Sequence, residues 1–477
     1  MKKLVFSLLI GLALILAVVP ALAQPREMIA RSVEGKERVC LDCHRLPNIR
    51  TNEGIMSSQA LCLECHAQAQ TSRKIGGRSL SLQVTPDSFG KNRHGRVACL
   101  ECHRDVARSP HKSLTGAQCL SCHPVHGERK IGDPHVRVNC QACHRKSPSV
   151  ILDPQTDRIK LSALDKAQRP LALTDHRLPD TQAKDFCQKC HFPQNPVGAS
   201  AAVLPGKSVL CIVCHNAPLA VGHSLFWVAL LIFLAGLGVM VLFWFQGGLE
   251  GADRSSHQKI AAVSERVWQS LFSREGRLIA KTAFFDCFLQ RRILQESVAR
   301  WSIHSLIYLS FLMRLGLSLF TALAFRLAPN SALAQVLIDK NHPFVAFSYD
   351  LLGLLILLGI LWAAAQRWLV RPPHRLTEGQ DTFALILIGV LVLLGFLVEG
   401  SRILMTHIPP ERAVFSFVGF PLSRLLSLMN LDWQAWYGAL WWAHALAGAV
   451  FVASIPFGKM KHMLLTPLTL IINAKRK

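Results

Sequence analysis

Cys-x-x-Cys-His occurs seven times in the first half of this chain, and this repeat restricts what it can fold into. The copies are Cys40-Leu-Asp-Cys43-His44, Cys62-Leu-Glu-Cys65-His66, Cys99-Leu-Glu-Cys102-His103, Cys119-Leu-Ser-Cys122-His123, Cys140-Gln-Ala-Cys143-His144, Cys187-Gln-Lys-Cys190-His191 and Cys211-Ile-Val-Cys214-His215. Two thiols at this spacing can bond to the two vinyl groups of one haem, and the next histidine can bind its iron. A single copy could equally be a redox dithiol or half a zinc site. Because fourteen of the fifteen cysteines lie in the seven copies, we predict seven covalent c-type haems.

The segments between the motifs carry few sustained apolar periodicities, so they cannot bury a core made of their own side chains. We expect the haems to form that core, with short helices and loops around them and little regular sheet. The predicted fold class is mostly α. It comprises a haem-cored periplasmic multihaem cytochrome c domain followed by a five-helix transmembrane bundle.

The N-terminus predicts where the haem region resides. Residues 1–23 have the pattern of a secretory signal, with Lys2 and Lys3, an apolar stretch, and Ala21-Leu22-Ala23 before Gln24. An uncleaved membrane anchor is the alternative, and both place the haem region outside the cytoplasm. We predict a signal peptide at 1–23, a heptahaem domain at 24–223 and a membrane domain at 224–477.

Five apolar stretches are near the length of about 20 residues that a bilayer requires. They are Leu225–Phe245, Ile303–Phe325, Phe344–Ala365, Thr382–Val398 and Trp436–Phe457. Lys and Arg are concentrated in alternate loops, with eight between Gln246 and Arg300, which predicts a cytoplasmic C-terminus in a bacterial inner membrane. The net charge of +23 is therefore mostly explained by topology and by haem propionates. No nucleic-acid motif is present, and we exclude nucleic acid as a partner.

A low-spin haem iron needs a second axial ligand besides the motif histidine. Outside the motifs, the haem domain offers six candidates: His94, His111, His126, His135, His176 and His223. Six histidines for seven irons leave one iron without a second histidine. Met28 or Met56 could complete that haem and would raise its potential, or the iron could be open to a small molecule.

Three histidines of the membrane domain are assigned to the second and fifth spans, where ionisable residues are costly and usually functional. His304 begins the second span, and His444 and His462 lie eighteen residues apart on the predicted fifth, at opposite depths. His304 and His462 can bridge one b-type haem near the inner face. His444 needs another partner, for which His342 and His407 are candidates. Alternatively, His444 is a hydrogen-bonded bundle residue or a quinone contact.

This arrangement of five spans and three histidines resembles the nitrate reductase gamma subunit. It also resembles membrane subunits of heterodisulfide reductases and of sulfite-reduction-associated menaquinol oxidoreductases. The closing stretch Ile455–His462 and the stretch Phe285–Trp301, with Gln290-Arg291-Arg292, carry the resemblance together with the histidines. It implies quinol chemistry, with menaquinone as the expected quinone, and two b haems that each join the second and fifth helices. Arg314 falls where the second histidine of the second helix would be, so the chain is expected to hold one or two b haems.

Glu399 and Arg402 end the fourth span on the outer side. The carboxylate could accept a quinol proton, and the guanidinium could keep it ionised. A purely structural Glu–Arg pair is the alternative. Asp350 is a weaker candidate for proton transfer. Cys287, outside the motifs, is interpreted as an ordinary thiol.

The sequence therefore favours a quinol–cytochrome c oxidoreductase that exchanges electrons among a membrane quinone, b-type haem and the seven c-type haems. A periplasmic cytochrome or reductase is its expected partner. One alternative is a terminal reductase that acts on a small molecule at an open c haem. Another is a membrane anchor and electron-transfer subunit with a cytoplasmic iron–sulfur partner.

Overall fold

The computed structural model describes residues 52–75, 78–91, 94–103, 119, 122–123, 134–144, 150–162, 186–246, 276–369 and 379–473. The signal segment, the first Cys-x-x-Cys-His motif, Met28, His111, His126 and His176 lie outside these ranges. The chain forms two compact units. The smaller comprises Met1–Cys62 and Arg96–Ala117, and the larger comprises Leu63–Gly95 and Gln118–Lys477.

The cysteine-rich region is built from short elements. Its helices and strands are α1 (Asn52–His66), β1 (Ser72–Ile75), β2 (Arg78–Ser81), α2 (Pro86–Gly90), α3 (Cys99–Cys102), α4 (Cys140–His144), β3 (Val150–Asp153) and β4 (Arg158–Leu161), with 3-10 turns at Pro134–Arg137, Cys187–Lys189 and Val209–Val213. The four strands form two separate antiparallel hairpins. Within the described residues, the expectation of little sheet is confirmed.

In the smaller unit, α3 consists of the third motif itself. The Gln59 side chain donates a hydrogen bond to the Val97 carbonyl at 3.1 Å. The thiols of Cys62 and Cys99, from two different motifs, lie within hydrogen-bonding distance. This contact, followed by burial, raises the pKa of Cys99. Among the described residues, this unit therefore brings cysteines of the second and third motifs together.

The second half of the chain is dominated by long helices. They are α5 (Ser224–Gln246), α6 (Gly276–Thr282), a π-helical turn (Ala283–Phe288), α7 (Arg291–Glu296), α8 (Val298–Leu327), α9 (Ala332–Ile338), α10 (Pro343–Trp368), α11 (Gly379–Met405), α12 (Pro410–Ala413), α13 (Gly419–Ser427), α14 (Trp433–Ser454), a 3-10 turn (Gly458–Lys461) and α15 (His462–Asn473). Five of them, α5, α8, α10, α11 and α14, are long and apolar enough to cross a membrane. The five predicted spans are therefore confirmed as helices, which indicates a multi-pass membrane protein.

The fifth span ends earlier than its apolar composition predicts. Helix α14 stops at Ser454, Gly458 adopts a positive φ of 56°, and α15 begins at His462. Pro456 has no N–H to continue the helical hydrogen bonding, and glycine is the residue that most readily takes the left-handed conformation. The prediction that His444 and His462 share one helix is wrong, because this break separates them.

The seventh motif belongs to the core of the bundle. Leu210 is buried with Phe226 of α5, Phe311 of α8 and Phe451 of α14. The neighbouring Cys214 packs against the same cluster. The chain around this motif is thus held by membrane helices rather than only by the cysteine-rich region.

Two polar contacts tie the cysteine-rich region to the end of the bundle where α14 begins. Asn195 and Gln434 of α14 exchange three side-chain hydrogen bonds of 3.1 Å. Arg412 pairs with the buried Asp157 at 3.1 Å. These contacts connect the loop after the sixth motif and the turn between β3 and β4 directly to the membrane helices.

Candidate haem centres

Four pairs of histidines in the larger unit face each other at nearly the same separation. The ring centroids are 5.7 Å apart for His94 and His123, 6.0 Å for His135 and His191, 6.3 Å for His215 and His444, and 6.2 Å for His304 and His462. A ring nitrogen binds a first-row metal at about 2 Å. Each ring centre lies about 1 Å further out, so two imidazoles on opposite sides of one iron have centroids about 6 Å apart. Each of the four pairs could therefore hold one haem iron.

Aromatic rings that merely pack together also lie about 4.5–7 Å apart, so the separation alone does not define a metal site. The second nitrogen of each ring gives the additional criterion. An imidazole that ligates a metal through one nitrogen usually donates the N–H of the other to a carbonyl or a carboxylate, which fixes the tautomer.

His304 and His462 meet this criterion on both sides. Nδ1 of His304 lies 3.0 Å from the Oε1 atom of Gln290, and Nδ1 of His462 lies 2.5 Å from the Lys459 carbonyl. Both Nε2 atoms are thus left for a metal between the rings. Gln290 is buried and has a φ of 54°, so the chain enters α7 in a left-handed conformation that places the amide beside His304. Gln290 contributes to the resemblance in sequence, but its hydrogen bond with His304 was not predicted.

Two pairs join a motif histidine to a candidate second ligand. His94 faces His123 of the fourth motif, and His135 faces His191 of the sixth. Nδ1 of His191 also contacts the Ser200 carbonyl at 2.9 Å. The structure therefore places His94 and His135 each beside a particular motif histidine, which the sequence did not.

The remaining candidate haem ligands that the structure describes lie in surroundings different from those of the four histidine pairs. His223 is exposed, packs on Trp442 at 5.0 Å, and accepts a hydrogen bond from the Leu225 amide where α5 begins. Nδ1 of His66 contacts the Leu82 carbonyl at 2.9 Å, and His144 packs near Phe186. Met56 is 65% exposed on α1. Among the described residues, no histidine ring faces His66, His223 or Met56.

His444 faces His215 of the seventh motif. Neither His342 nor His407, the two candidates from sequence, takes that position, and neither does Arg314. His342 caps α10, where its Nδ1 accepts a hydrogen bond from the Phe344 amide. His407 lines an open depression with Gln194 and residues 427–434. Arg314 donates to the Tyr349 carbonyl. Among the described residues, the histidine ring that lies against His444 is that of His215, whereas His342 and His407 lie elsewhere.

The surroundings of His215 and His444 contain donors that lack an acceptor. Nδ2 of Asn216 and Nε of Arg314 are buried and have no hydrogen-bond partner among the described residues. Nδ1 of His444 lies near the Leu391 carbonyl without hydrogen-bond geometry. Burial, followed by the charge of Lys207, holds the pKa of His215 well below its ordinary value. His215 is therefore neutral, the form that binds metals.

Basic side chains cluster just outside this pair. Lys207 donates to the carbonyl and the side-chain oxygen of Asn216 at 2.9 and 3.1 Å. The charge of Lys207, burial and the charge of Arg402 hold the pKa of Lys340 well below its ordinary value. Like charges held together away from water are costly unless an anion joins them. The two carboxylates of a haem would supply such anions.

The predicted quinol-site residues meet at the same end of the bundle. Glu399 lies 3.8 Å from Arg402 and accepts a hydrogen bond from Ser416 at 3.0 Å, while Arg402 donates to Asn341 at 2.7 Å. Asp350 is fully buried and accepts from the amides of Val418 and Gly419, at 2.7 and 3.1 Å. Asp350 thus caps α13 and has a structural role that the sequence did not indicate.

Cys287 lies on the other side of the bundle, in the π-helical turn. Its thiol is 3.8 Å from the Pro467 carbonyl of α15. Burial raises its pKa, so the group is a protonated thiol at neutral pH, as expected for an ordinary cysteine.

The fold and the histidine pairs define a class, a multi-pass membrane protein with candidate redox centres. Comparison with known proteins points the same way. The chain is similar to the EtfAB:quinone oxidoreductase of Syntrophomonas wolfei, with 27% identity over 214 residues that cover 42% of this chain. It is also similar to one of the subunits of dihydromethanophenazine:CoB–CoM heterodisulfide reductase, from Methanosarcina thermophila and from Methanosarcina barkeri, each at 24% identity and over 52% of this chain.

The extent of these matches differs. The match spans only 27% of the quinone oxidoreductase but 88% of each of the two heterodisulfide reductase proteins. No protein-family model matches the chain, and no solved structure matches it. The relatives thus support a membrane redox subunit at low identity, without assigning the cysteine-rich region.

Proposed function

We propose that this chain passes electrons between a membrane quinone and c-type haems on the outer side of the membrane. It would act as a quinol–cytochrome c oxidoreductase or as the electron-transfer subunit of one. The observation that carries the proposal is the pair His304 and His462. Both rings are fixed through Nδ1, within a bundle whose other end holds the seventh Cys-x-x-Cys-His motif.

The donor sets present are suited to haem. His304 and His462 would hold one b-type haem, and the motif cysteines would hold the c-type haems, as reasoned from sequence. When bound, each haem supplies a one-electron Fe(III)/Fe(II) couple. Neutral imidazoles and thioethers are the ligands and linkages that such haems require.

Glu399 is the residue proposed to take up a proton. Oxidation of one quinol to quinone releases two electrons, for which the bound haems would serve as one-electron acceptors, and two protons, which Glu399 would accept in turn and pass on to water. The Glu399 carboxylate would accept a proton, Arg402 would favour its ionised form, and Ser416 would hold one of its oxygens. Protons taken up at this end of the bundle would leave toward the outer side.

A pyridine-haemochrome assay on the purified full-length protein tests the proposal. We expect seven c-type haems and b-type haem in the same preparation, with the c-type haems reducible by a menaquinol analogue. Absence of b-type haem would overturn the assignment of His304 and His462, and failure of the menaquinol analogue to reduce the c-type haems would overturn the quinone scheme. Absence of covalent haem would overturn the electron-transfer function.

The relatives favour a second role that is compatible with the first. Two of them are named as subunits of a heterodisulfide reductase, that is, as one component of a complex. By analogy, this chain would anchor a cytoplasmic iron–sulfur protein near the b-type haem. Stoichiometric co-purification of such a protein would select this role, whereas full quinol activity of the isolated chain would count against it.

A further inference from the structure

We infer that His444 is the second axial ligand of the seventh c-type haem. This haem would then lie inside the outer half of the membrane bundle, in the position where the resemblance implies a second b-type haem. The inference rests on the proposed function in one respect, that the motifs carry haem. It does not depend on quinone chemistry or on the direction of electron flow.

The ring geometry of His215 and His444 supports this assignment. The centroids of His215 and His444 are 6.3 Å apart, and their planes differ by 25°. The separation agrees with that of His304 and His462, at 6.2 Å, and with the about 6 Å that one iron requires. Nδ1 of His215 contacts the Asn216 carbonyl at 3.3 Å, which leaves Nε2 for the metal.

The seventh motif is located against the membrane helices. Helices α8 and α14 both pack on the turn Val209–Val213 that carries Cys211. Cys214 packs within the buried cluster of the bundle. A haem bonded to Cys211 and Cys214 must therefore lie between the same helices that carry His444 and Arg314, and a separate b-type haem at His444 would compete for that space.

Arg314 cannot replace a histidine at this level of α8. It lies ten residues after His304 on α8, about 15 Å along the helix axis. A Cβ at Gly353 would lie 3.0 Å from its guanidinium, and that guanidinium bonds to the Tyr349 carbonyl. Arg314 is thus pressed against α10 and cannot serve as an iron ligand. His215 supplies the imidazole that α8 lacks at this depth.

Buried hydrogen-bond donors and basic side chains surround His215 and His444. Asn216 Nδ2 and Arg314 Nε are buried without acceptors among the described residues, and Lys207 and Lys340 are held close together. A haem attached at Cys211 and Cys214 would bring two propionates to this region. Their four oxygens would satisfy the amide and guanidinium donors and neutralise the paired lysines.

The assignment of His444 to the seventh c-type haem also changes the number of candidate second axial ligands. With His444 added to the six candidates of the haem domain, seven histidines outside the motifs are available as second ligands for the seven predicted c-type haems. No iron then has to be open, and the terminal reductase loses the feature that supported it.

Substitution of His444 tests the inference in the purified full-length protein. In His444→Ala, we expect unchanged amounts of c-type and b-type haem. One c-type haem should become high-spin in the electron paramagnetic resonance spectrum, and carbon monoxide binding should rise from none to one per chain. Loss of b-type haem with every c-type haem still low-spin would overturn the inference, and so would an unchanged spectrum.

His444→Met keeps a ligand and a side chain of similar bulk in case the alanine variant fails to fold. We expect all c-type haems to stay low-spin while the potential of one rises, because thioether ligation favours the ferrous state. Unchanged potentials would contradict the assignment. His407→Asn is the matched control, since asparagine tolerates the positive φ of 49° at that position, and it should leave spectrum and potentials as in the parent protein.

The wild-type haem ratio separates this inference from the proposed function. A c-to-b ratio of seven to one supports both. A ratio of seven to two would overturn the assignment of His444 while leaving the quinone scheme intact. Absence of b-type haem would overturn the assignment of His304 and His462 and leave that of His444 intact.

Discussion

Gln290 illustrates how a single residue can tune a redox centre without touching it. Its side-chain oxygen accepts the Nδ1 proton of His304 at 3.0 Å, and its backbone takes a left-handed conformation to do so. An acceptor on this nitrogen raises the basicity of the other, which is the proposed ligand atom. The strength of the acceptor should therefore set the potential of the b-type haem.

Gln290→Glu and Gln290→Leu should shift that potential in opposite directions. Glutamate makes the imidazole a stronger donor and stabilises Fe(III), so the potential falls. Leucine removes the acceptor, so the potential rises and haem affinity decreases about 10–100-fold. Redox titration of the b-type haem measures both. Shifts of the same sign would indicate that the backbone, rather than the hydrogen bond, is responsible.

Glu399 and Asp350 are neighbouring carboxylates with different roles. Asp350 accepts two backbone hydrogen bonds at the start of α13, whereas Glu399 faces Ser416 and Arg402. A Cβ at Gly419 would lie 2.8 Å from the Glu399 side chain, so the absence of a side chain there leaves room for it. This arrangement favours Glu399 over Asp350 for proton transfer.

Glu399→Gln should lower quinol oxidation about 100-fold while haem content stays at the parent level, because a positioned base typically contributes this much. Steady-state reduction of the c-type haems by a menaquinol analogue measures the effect. Ser416→Ala is the control, and removing one hydroxyl donor to the Glu399 carboxylate should lower the rate only a few-fold. A normal rate with reduced thermal stability in Glu399→Gln would instead support a purely structural Glu–Arg pair.

At the scale of the element, the break between α14 and α15 positions His462. Pro456 and Gly458 end the fifth span, and the following turn brings His462 to face His304. At Gly458, a Cβ would meet the Gln380 side chain at 3.1 Å in addition to the strain of a positive φ. The local backbone is thus part of the proposed haem site.

Gly458→Ala should destabilise this turn by about 1–2 kcal/mol, the cost of the left-handed conformation for a residue with a Cβ. We expect a lower ratio of b-type to c-type haem as His462 is displaced. Gly316→Ala is the matched control, since a Cβ there meets nothing within 4 Å and lies in the middle of α8. Equal loss of b-type haem in both variants would contradict a specific role for the turn.

The elements were predictable where the signal is local, and much of the site was not. Runs of about 20 apolar residues identify a membrane helix on their own, so all five spans were found. The early end of α14 was missed because hydropathy continues through Pro456 to Phe457. The pairing of His215 with His444 joins residues far apart in sequence, and no local pattern distinguishes that partner from His342 or His407.

At the scale of the whole molecule, two candidate haem centres lie at different depths of one bundle. His304 and Arg314 are ten residues apart on α8, so the inner pair and the His215–His444 pair differ by about 15 Å in depth. Glu399 lies at the outer end, where its charge acts on Lys340 beside Lys207. A quinol oxidised at Glu399 would therefore be nearer to the proposed seventh c-type haem than to the proposed b-type haem.

This arrangement predicts that the two haems can be separated functionally. In His462→Ala, b-type haem should be lost, yet a menaquinol analogue should still reduce the c-type haems at a rate within a few-fold of the parent. In His444→Ala, with b-type haem retained, that rate should fall by at least about tenfold, because the haem nearest to Glu399 has lost a ligand. Stopped-flow reduction of the c-type haems compares the two. The reverse pattern would place quinol oxidation at the inner end of the bundle, beside His304, and would exclude Glu399 as the proton acceptor.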